Sequence, residues 1–447
     1  MSAVSLKFRG ALSRLDAPAR RALADRVVEG ADEIRGAVTR IVADVRARGD
    51  AALFELAREL DGVALELLEV PAAEWQTALD ETPQDLVRAL ERAIRNLEAT
   101  HGAWRPRGIA IETEPGVLVG RRADPITRLG VYVPGGRAAY PSSVLMAAVP
   151  ARVVGVGEIV VCSPPDRSGR PPALVLAAAR LAGVDRLFAV GGAGAVAAMA
   201  YGTESVPRVD RIVGPGNAYV MEAKLQVATR VAIDAPAGPS EILIVADEAT
   251  SPELIAREMV AQAEHDPRAA SVAVIVGGAS ALEPIERALA EAVAGAERRE
   301  VVEASLAAAG GLLLAADLDE AVIFANEYGA EHLLVALRDA YRLRDRFRVA
   351  GSIFLGPASS VAFGDYVTGG NHVLPTGGLA RAYSGLAPED FVRWTTYQQV
   401  TPRAAARLAP DVAALARAER LPGHALAAIA ASGAGSTTLD ERSSDDA

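Results

Sequence analysis

The chain has one cysteine, Cys162, so an internal disulfide is excluded. No apolar run approaches the ~18 residues that a membrane span needs, and the N-terminus lacks the apolar stretch of a signal peptide. We therefore expect a cytoplasmic protein with no membrane partner. Only 46 Lys and Arg residues stand against 57 Asp and Glu, which gives a net charge of −11. This balance argues against a nucleic-acid partner.

Aromatic residues make up 4% of the chain, whereas 51% of residues are hydrophobic. At 447 residues the chain exceeds the ~250–300 residues that one core can serve, so more than one domain is expected. After Leu129, strand-like runs such as LGVYVPGG, EIVVCSP and EILIVAD alternate with helical runs. This alternation is typical of βαβ units around a parallel sheet. The predicted fold class is α/β, with two Rossmann-like open parallel-sheet domains, small helical N- and C-terminal segments, and a cleft between the two domains.

These patterns divide the chain into five parts. We predict a helical arm over 1–24, a discontinuous α/β domain over 25–128 and 241–384, a Rossmann-like domain over 129–240, a helical C-terminal segment over 385–432 and a disordered acidic tail over 433–447. Gly192, Gly194 and Ala197 match the G-x-G-x-x-A form of the dinucleotide fingerprint after the strand RLFAV. Because no acidic residue is clearly placed to bind a ribose, the match indicates only a turn that could face a phosphate.

A candidate metal site begins with the stretch MVAQAEHDP, where Gln262 and His265 are three residues apart at the end of a helical run. Residues at this spacing share a helix face, so both side chains can point at one ion. By residue type alone, Asp365 and His424 could complete a zinc site. The alternative is a surface helix end with an incidental histidine, and spacing does not decide between the two.

Besides His265, three histidines have a carboxylate close by in sequence. Glu331 is adjacent to His332, Asp365 shares a glycine-rich loop with His372, and Glu419 precedes His424 by five residues. A histidine near neutral pKa beside a carboxylate suits acid–base chemistry. We interpret His101 and His372 as structural: His101 has no carboxylate directly beside it in sequence, and His372 is expected to stabilise its own loop.

Long segments of the chain resemble the histidinol dehydrogenase family. They include LGVYVPGGRAAYPSSVLM, YGTESVPRVDRIVGPGNAYVMEAKLQV, AGPSEILIVAD, QAEHDP, NEYGAEHL and GDYVTGGNHVLPTGG. The resemblance extends from RGDAALFELARELDG to PGHA, which leaves out only the termini. It implies a homodimer with one Zn²⁺ per subunit that uses NAD to oxidise L-histidinol through L-histidinal to L-histidine.

The resemblance also assigns roles to individual residues. The implied acid–base pair is Glu331 and His332, and the implied zinc ligands are Gln262, His265, Asp365 and His424. All of these, together with Ser240 and Glu419, are implied substrate contacts. The implied NAD contacts are Tyr132, Gly194 and Asn217. Metal and acid–base residues then belong to the discontinuous domain and NAD contacts to 129–240, while the C-terminal segment packs on the partner subunit and places Glu419 and His424 in its site.

Three positions depart from the family pattern. Gly194 stands where many members have a glutamine that touches NAD, which leaves only a backbone N–H at that point. Ala147 replaces a common asparagine and Gly370 a common proline, both outside the metal set.

Alternatives to this reading remain open from the sequence. A relative that oxidises a sulfonated diol should have Arg or Lys where this chain has Glu331, Asp365 and Glu419. A metallohydrolase could use the same ligands to activate water without NAD. A binding protein with a structural metal site is the weakest option, because such sites are rich in cysteine.

Overall fold

A computed structural model describes residues 4–24, 26, 32–135, 139–236 and 238–433. The strands are β1 (Phe8–Ala11), β2 (Ile109–Glu114), β3 (Val117–Pro125), β4 (Arg128–Tyr132), β5 (Glu158–Ser163), β6 (Arg186–Ala189), β7 (Arg211–Val213), β8 (Ala232–Ile233), β9 (Glu241–Asp247), β10 (Ala270–Val276), β11 (Gly311–Ala315), β12 (Ala330–Val335), β13 (Ala350–Leu355) and β14 (Val392–Val400).

The helices are α1 (Ala17–Ala24), α2 (Asp32–Arg48), α3 (Asp50–Leu56), α4 (Ala72–Glu81), α5 (Gln84–Ala103), α6 (Pro141–Val154), α7 (Ala173–Ala182), α8 (Gly192–Tyr201), α9 (Ala218–Val227), α10 (Pro252–Ala263), α11 (Leu282–Ala294), α12 (Arg299–Ala309), α13 (Leu318–Tyr328), α14 (Ala340–Leu343), α15 (Val361–Tyr366), α16 (Pro402–Ala418) and α17 (Pro422–Gly433). Among the described helices, none is both long and apolar enough to cross a membrane.

The chain forms two compact units. The larger unit comprises Met1–Arg105 with Pro125–Phe391, and the smaller comprises Pro106–Asp124 with Val392–Ala447. The larger unit contains both parallel sheets. The smaller contains a three-stranded sheet in the order β14-β3-β2, in which β2 and β3 are antiparallel, followed by α16 and α17.

The five-stranded sheet has the order β6-β5-β4-β7-β8, and its described pairings are parallel. In sequence order this is the 3-2-1-4-5 arrangement of a Rossmann half, with the topological switch point between β4 and β7. Its strands are almost continuously apolar because helices cover both faces. An apolar cluster packed against this sheet includes Val42 and Leu53 from the N-terminal helices together with Phe188 and Met199.

The six-stranded sheet has the order β1-β11-β10-β9-β12-β13, also with parallel pairings. Without the edge strand β1 it repeats the 3-2-1-4-5 arrangement, and its switch point lies between β9 and β12. Separate apolar clusters cover its two faces, one built around Met259 and Leu289 and the other around Leu313 and Tyr328. The predicted fold class, two Rossmann-like parallel-sheet domains, is confirmed.

Several expectations about individual segments need correction. The arm over 1–24 is not wholly helical, because β1 pairs with β11 and extends the six-stranded sheet. Helix α2 and residues 50–70 share a core with the five-stranded sheet, although the predicted domain of 25–128 and 241–384 places them with the other sheet. The segment over 385–432 begins with a 3₁₀ turn and strand β14 before its two helices. Of the predicted tail over 433–447, all but Gly433 lies outside the described residues.

Candidate active site

A cavity of about 430 Å³ in the larger unit is lined by residues from segments of both parallel sheets. Loops that follow strands of the five-stranded sheet form part of its lining. The rest comes from the starts of strands in the six-stranded sheet and from the segments next to them. The lining includes Pro134, Tyr140, Gly214, Asn217, Asp234, Ser240, His265, Glu331, His332, Asp365 and His372.

The five-stranded sheet contributes the loops after β4 and β7, on either side of its switch point. Pro134 and Tyr140 come from the first loop, and residues 214–217 come from the second. Asn217 begins α9 as its N-cap, and its Oδ1 accepts hydrogen bonds from the N–H groups of Tyr219 at 3.0 Å and Val220 at 3.2 Å. The N-terminus of a ten-residue helix therefore adjoins the cavity, an arrangement that favours a phosphate or other anion.

The six-stranded sheet contributes the amino ends of β9 and β12. Ser240 precedes β9, while Glu331 and His332 are the second and third residues of β12. Glu331 Oε2 accepts hydrogen bonds from Ser240 Oγ at 2.6 Å and from the Glu241 N–H at 2.7 Å. The carboxylate is thereby fixed against the start of the neighbouring strand.

The imidazole of His332 lies between two carboxylates. Its Nδ1 is 3.1 Å from the carbonyl oxygen of Glu241 and 3.4 Å from Glu331 Oε2. Its Nε2 is 3.4 Å from Asp365 Oδ1, which is too long for a hydrogen bond of normal strength. Burial lowers the pKa of His332, but the charges of Glu331 and Asp365 outweigh burial and hold that pKa well above the usual value.

The pKa of Asp365 is shifted in the opposite direction. Burial raises its pKa, but the His332 ring, with smaller contributions from His372 and His265, more than compensates, so the pKa of Asp365 is lowered. His372 Nδ1 lies 2.8 Å from the carbonyl oxygen of Asp365, and burial lowers the pKa of this histidine. The hydrogen bond within residues 365–372 agrees with the loop-stabilising role predicted for His372, which also lines the cavity.

The candidate metal ligands of the larger unit suit a cation in their chemistry. Gln262 lies in the last turn of α10 and His265 follows the helix, on the approach to β10. The Gln262 side chain is 4% exposed, and its Nε2 has no hydrogen-bond partner among the described residues. Because the oxygen and nitrogen of an amide are assigned by their surroundings, that unpartnered position can equally present the oxygen to an ion. Gln262, His265 and Asp365 thus offer oxygen, nitrogen and oxygen, a set that zinc accepts.

Within the described residues, no three His, Cys, Asp or Glu side chains lie close enough together to hold a metal ion. Glu419 and His424 belong to the smaller unit, at the C-cap of α16 and in the first turn of α17, and both are exposed.

Comparison with known proteins decides the family. A sequence profile described as histidinol dehydrogenase matches residues 24–430. The chain belongs to the histidinol dehydrogenase family. It is 46% identical over 403 residues to histidinol dehydrogenase of Methanothermobacter thermautotrophicus, covering 90% of this chain and 94% of that one. The corresponding protein of Xanthomonas euvesicatoria is 42% identical over 416 residues, covering 92% and 96%.

A solved structure agrees with this assignment. The crystal structure of histidinol dehydrogenase from Elizabethkingia anophelis superimposes with a TM-score of 0.92 at 31% sequence identity, covering 98% of this chain and 100% of that one. The protein is therefore an oxidoreductase of histidine biosynthesis, as the resemblance predicts. This assignment favours the dehydrogenase over the metallohydrolase and over the binding protein with a structural metal.

Two family positions lie away from the cavity lining in the described residues. Tyr132 is buried, its hydroxyl accepts a hydrogen bond from the Gly192 N–H at 3.2 Å, and burial raises its pKa to about 12. Gly194 lies in α8 against α3, where an added Cβ would be 3.0 Å from Leu56 Cδ1 and 3.4 Å from Leu53 Cδ2. In this member of the family, a side chain longer than glycine at 194 would need Leu56 to move.

The sequence patterns do not single out Glu241, whose backbone contacts both Glu331 and His332. Its N–H binds Glu331, its carbonyl oxygen is the neighbour of His332 Nδ1, and its carboxylate is held by Arg26 at 2.7 Å. The available signal was an acidic residue at the start of the buried strand EILIVAD. A charge at such a position requires a partner.

Proposed function

We propose that the protein is a zinc- and NAD-dependent histidinol dehydrogenase, which oxidises L-histidinol through L-histidinal to L-histidine in two steps. The observation that carries the proposal is a cavity that joins the switch point of a Rossmann-type sheet to Ser240, Asp365 and the buried pair Glu331 and His332. Family membership supports the substrate class. A biosynthetic enzyme that uses NAD is expected in the cytoplasm.

The five-stranded sheet, residues 129–240, is the proposed NAD-binding domain. In open α/β sheets, nucleotides bind outside the carboxyl ends of the strands at the switch point, which is where residues 214–217 lie. The N-terminus of α9 and its cap Asn217 suit the pyrophosphate or ribose of the cofactor. The family roles of Tyr132 and Gly194 remain proposals, with Tyr132 acting through its contact with residue 192 and Gly194 only through its backbone.

The charges around the cavity favour a cationic substrate. Its carboxylates include Glu331 and Asp365, and the two arginines in the lining are paired with acids. Arg268 contacts Asp266 at 3.3 Å, and Arg26 contacts Glu241. The alternative within the family, a dehydrogenase of a sulfonated diol, would need cationic side chains that are free to bind the anion of its substrate. The ammonium and imidazole groups of histidinol suit the acidic lining instead.

His332 is the proposed base of the first oxidation. It would remove the proton of the substrate hydroxyl. NAD, when bound, would accept a hydride from the carbon that bears this hydroxyl. A substrate ammonium near Glu331 and Asp365 would offset the negative charge that raises the pKa of His332, which allows the ring to accept that proton. In the second oxidation, Glu331 would remove a proton from the water that adds to the aldehyde, and a second NAD, when bound, would accept the hydride from the aldehyde carbon.

Zinc is assigned to Gln262, His265, Asp365 and the His424 of a second subunit. When bound, it would orient the substrate through its amine and imidazole nitrogens. Glu419 is assigned to substrate binding in the same partner-derived segment. The homodimer is supported by exposed apolar side chains on α16 and α17, where Leu415 and Leu426 are each 67% exposed.

The activity itself is tested by counting products. Metal-replete protein given limiting L-histidinol should form two NADH per histidinol consumed, and a chelator should abolish turnover. A sulfonated diol offered as substrate should give no NADH. Absence of NADH from histidinol with metal-replete protein would overturn the proposal.

The dimer arrangement is tested by complementation. His265→Asn and His424→Asn homodimers should both be inactive, whereas a refolded equal mixture should regain about a quarter of wild-type activity, because half of the dimers then contain one intact site. If His424 served its own chain, every site in the mixture would have a substitution, and no activity would return.

A further inference from the structure

The chain uses lysine very sparingly. Of its 46 Lys and Arg residues, only Lys7 and Lys224 are lysines. Lys7 is exposed, whereas Lys224 lies in α9 and is 5% exposed. A buried ammonium requires partners, because removing an unpaired charge from water is costly.

Those partners are Asp234 and the backbone of Gly214. Lys224 Nζ donates to Asp234 Oδ1 at 2.6 Å and to the Gly214 carbonyl oxygen at 2.5 Å. Asp234 Oδ2 accepts a hydrogen bond from the Gly214 N–H at 2.7 Å. Both side chains are 6% exposed, so the ion pair is shielded from solvent. Together, Lys224 and Asp234 bind both the carbonyl oxygen and the N–H of Gly214.

Gly214 is a position where the backbone needs such support. Its φ is +113°, a conformation that favours glycine, and an added Cβ would lie 2.1 Å from the Tyr132 carbonyl oxygen. It is the first residue after β7, directly beside the end of β4 at the switch point. Residues 214–217 continue from it along the cavity to the N-cap of α9.

We propose that Lys224 and Asp234 are positioning residues for cofactor binding: their buried ion pair holds Gly214 so that the turn at 214–217 is preformed for NAD. The inference rests on the proposed function, because it assigns the turn to NAD. An ion pair is not needed for stability alone, since apolar residues of similar volume often replace a buried pair without loss. What an apolar pair cannot supply is a donor for the Gly214 carbonyl and an acceptor for its N–H.

This difference between stability and positioning defines the experiment. Lys224→Met leaves a buried, unpaired Asp234 and should lower the Tm. The double variant Lys224→Met/Asp234→Leu should recover the part of that loss that comes from the unpaired charge of Asp234, yet both variants should bind NAD about 10-fold more weakly, as expected when the competent turn is populated a tenth of the time. At saturating NAD, kcat should stay within about 3-fold of wild type, and metal content should be unchanged.

The matched control is Arg186→Met/Glu69→Leu, which removes an ion pair at the outer strand β6 of the same sheet. It should leave the Kd for NAD unchanged. If NAD affinity recovers together with the Tm in the Lys224→Met/Asp234→Leu variant, the pair is only structural and the inference is wrong. If the wild-type protein shows no saturable NAD binding, the proposed function fails and the inference fails with it.

Discussion

The two parallel sheets share one strand order but face the cavity with opposite ends. The five-stranded sheet presents the loops at the carboxyl ends of β4 and β7, the usual ligand-binding edge of an open α/β sheet. The six-stranded sheet presents the amino ends of β9 and β12, through Ser240, Glu331 and His332. Two sheets with the same strand order therefore present opposite ends to the cavity. The site residues, and not the strand order, reveal which end a sheet presents.

The unused edge of the six-stranded sheet is closed. At its switch point, Thr250 Oγ1 donates to the Ala336 carbonyl oxygen at 2.8 Å and joins the segments that follow β9 and β12. Thr250 is 7% exposed. A crevice for a nucleotide at this edge would require that contact to open. We therefore expect changes at the amino ends of β9 and β12 to affect catalysis and changes at the carboxyl edge of the five-stranded sheet to affect cofactor binding. Changes at the carboxyl edge of the six-stranded sheet should affect stability.

The largest effect is expected at the amino end of β12. His332→Asn removes the proposed base and should lower kcat by about 10²–10⁴-fold in both oxidations. Metal content should stay near the wild-type value, because His332 is not a proposed metal ligand. The Kd for NAD should also stay near the wild-type value, because the carboxyl edge of the five-stranded sheet is intact. Steady-state kinetics, metal analysis and NAD titration measure the three quantities. Full activity of this variant at neutral pH would show that the base is a different residue.

The second effect concerns acid stability of the five-stranded half. His101 is fully buried at the end of α5, and burial lowers its pKa to about 4. The unfolded chain binds this proton at a pKa near ~6.5, so the contribution is complete above ~6.5 and is lost as pH falls toward ~4. The loss amounts to at most about 3 kcal/mol of unfolding free energy.

Urea unfolding between pH 7.5 and 4.5 measures this loss, and His101→Leu should remove much of the pH dependence. Hydrogen exchange at pH 5 sharpens the comparison of the sheets. Because α5 packs against α6 and α7 on the five-stranded side, amides of β4 and β5 should lose protection before those of β9 and β10. Equal loss in both sheets would mean that the two halves unfold as one.

A third effect is expected at the carboxyl edge of the five-stranded sheet. Asn217→Ala removes the N-cap of α9 and should weaken NAD binding about 10-fold with kcat unchanged at saturation. The lost cap should also cost about 1 kcal/mol of stability. Asp317→Ala is the control, because Asp317 caps α13 through the Glu320 N–H and lies outside the cavity lining. An equal rise in Kd for NAD in the control would attribute the effect to stability.

The smallest effect is expected at the closed edge. Thr250→Val leaves the buried Ala336 carbonyl oxygen without its hydroxyl donor and should cost about 1–2 kcal/mol in urea unfolding. Kinetic constants should be unchanged, since this edge is not used for binding. A large rise in KM for either substrate would show that the carboxyl edge of the six-stranded sheet has a functional role.

The sequence predicts the parallel strands well because they are long apolar runs between helical segments, as in EIVVCSP and EILIVAD. It misses β2, whose six residues are all exposed, and β14, which is mostly exposed. Without a buried face, neither strand has the apolar alternation that would reveal it. The four-residue strand β1 is too short to show a period.

The candidate site divides in the same way. Glu331, His332, Asp365 and Ser240 could be named from residue type and family resemblance, and the structure places them around one cavity. Lys224 could not, because a lysine within a helical run is typical of a solvated face. Its burial depends on Asp234, ten residues away, and on the backbone of residue 214. Such tertiary contacts leave no local pattern in the sequence.

A crystal structure of the metal-loaded protein with NAD tests the central claim, that opposite ends of two similar sheets form one site. We predict NAD across the loops that follow β4 and β7, in contact with Asn217, with its nicotinamide directed toward His332. Cofactor bound instead at the carboxyl edge of the six-stranded sheet, beside Gly277 and Gly278, would contradict the account.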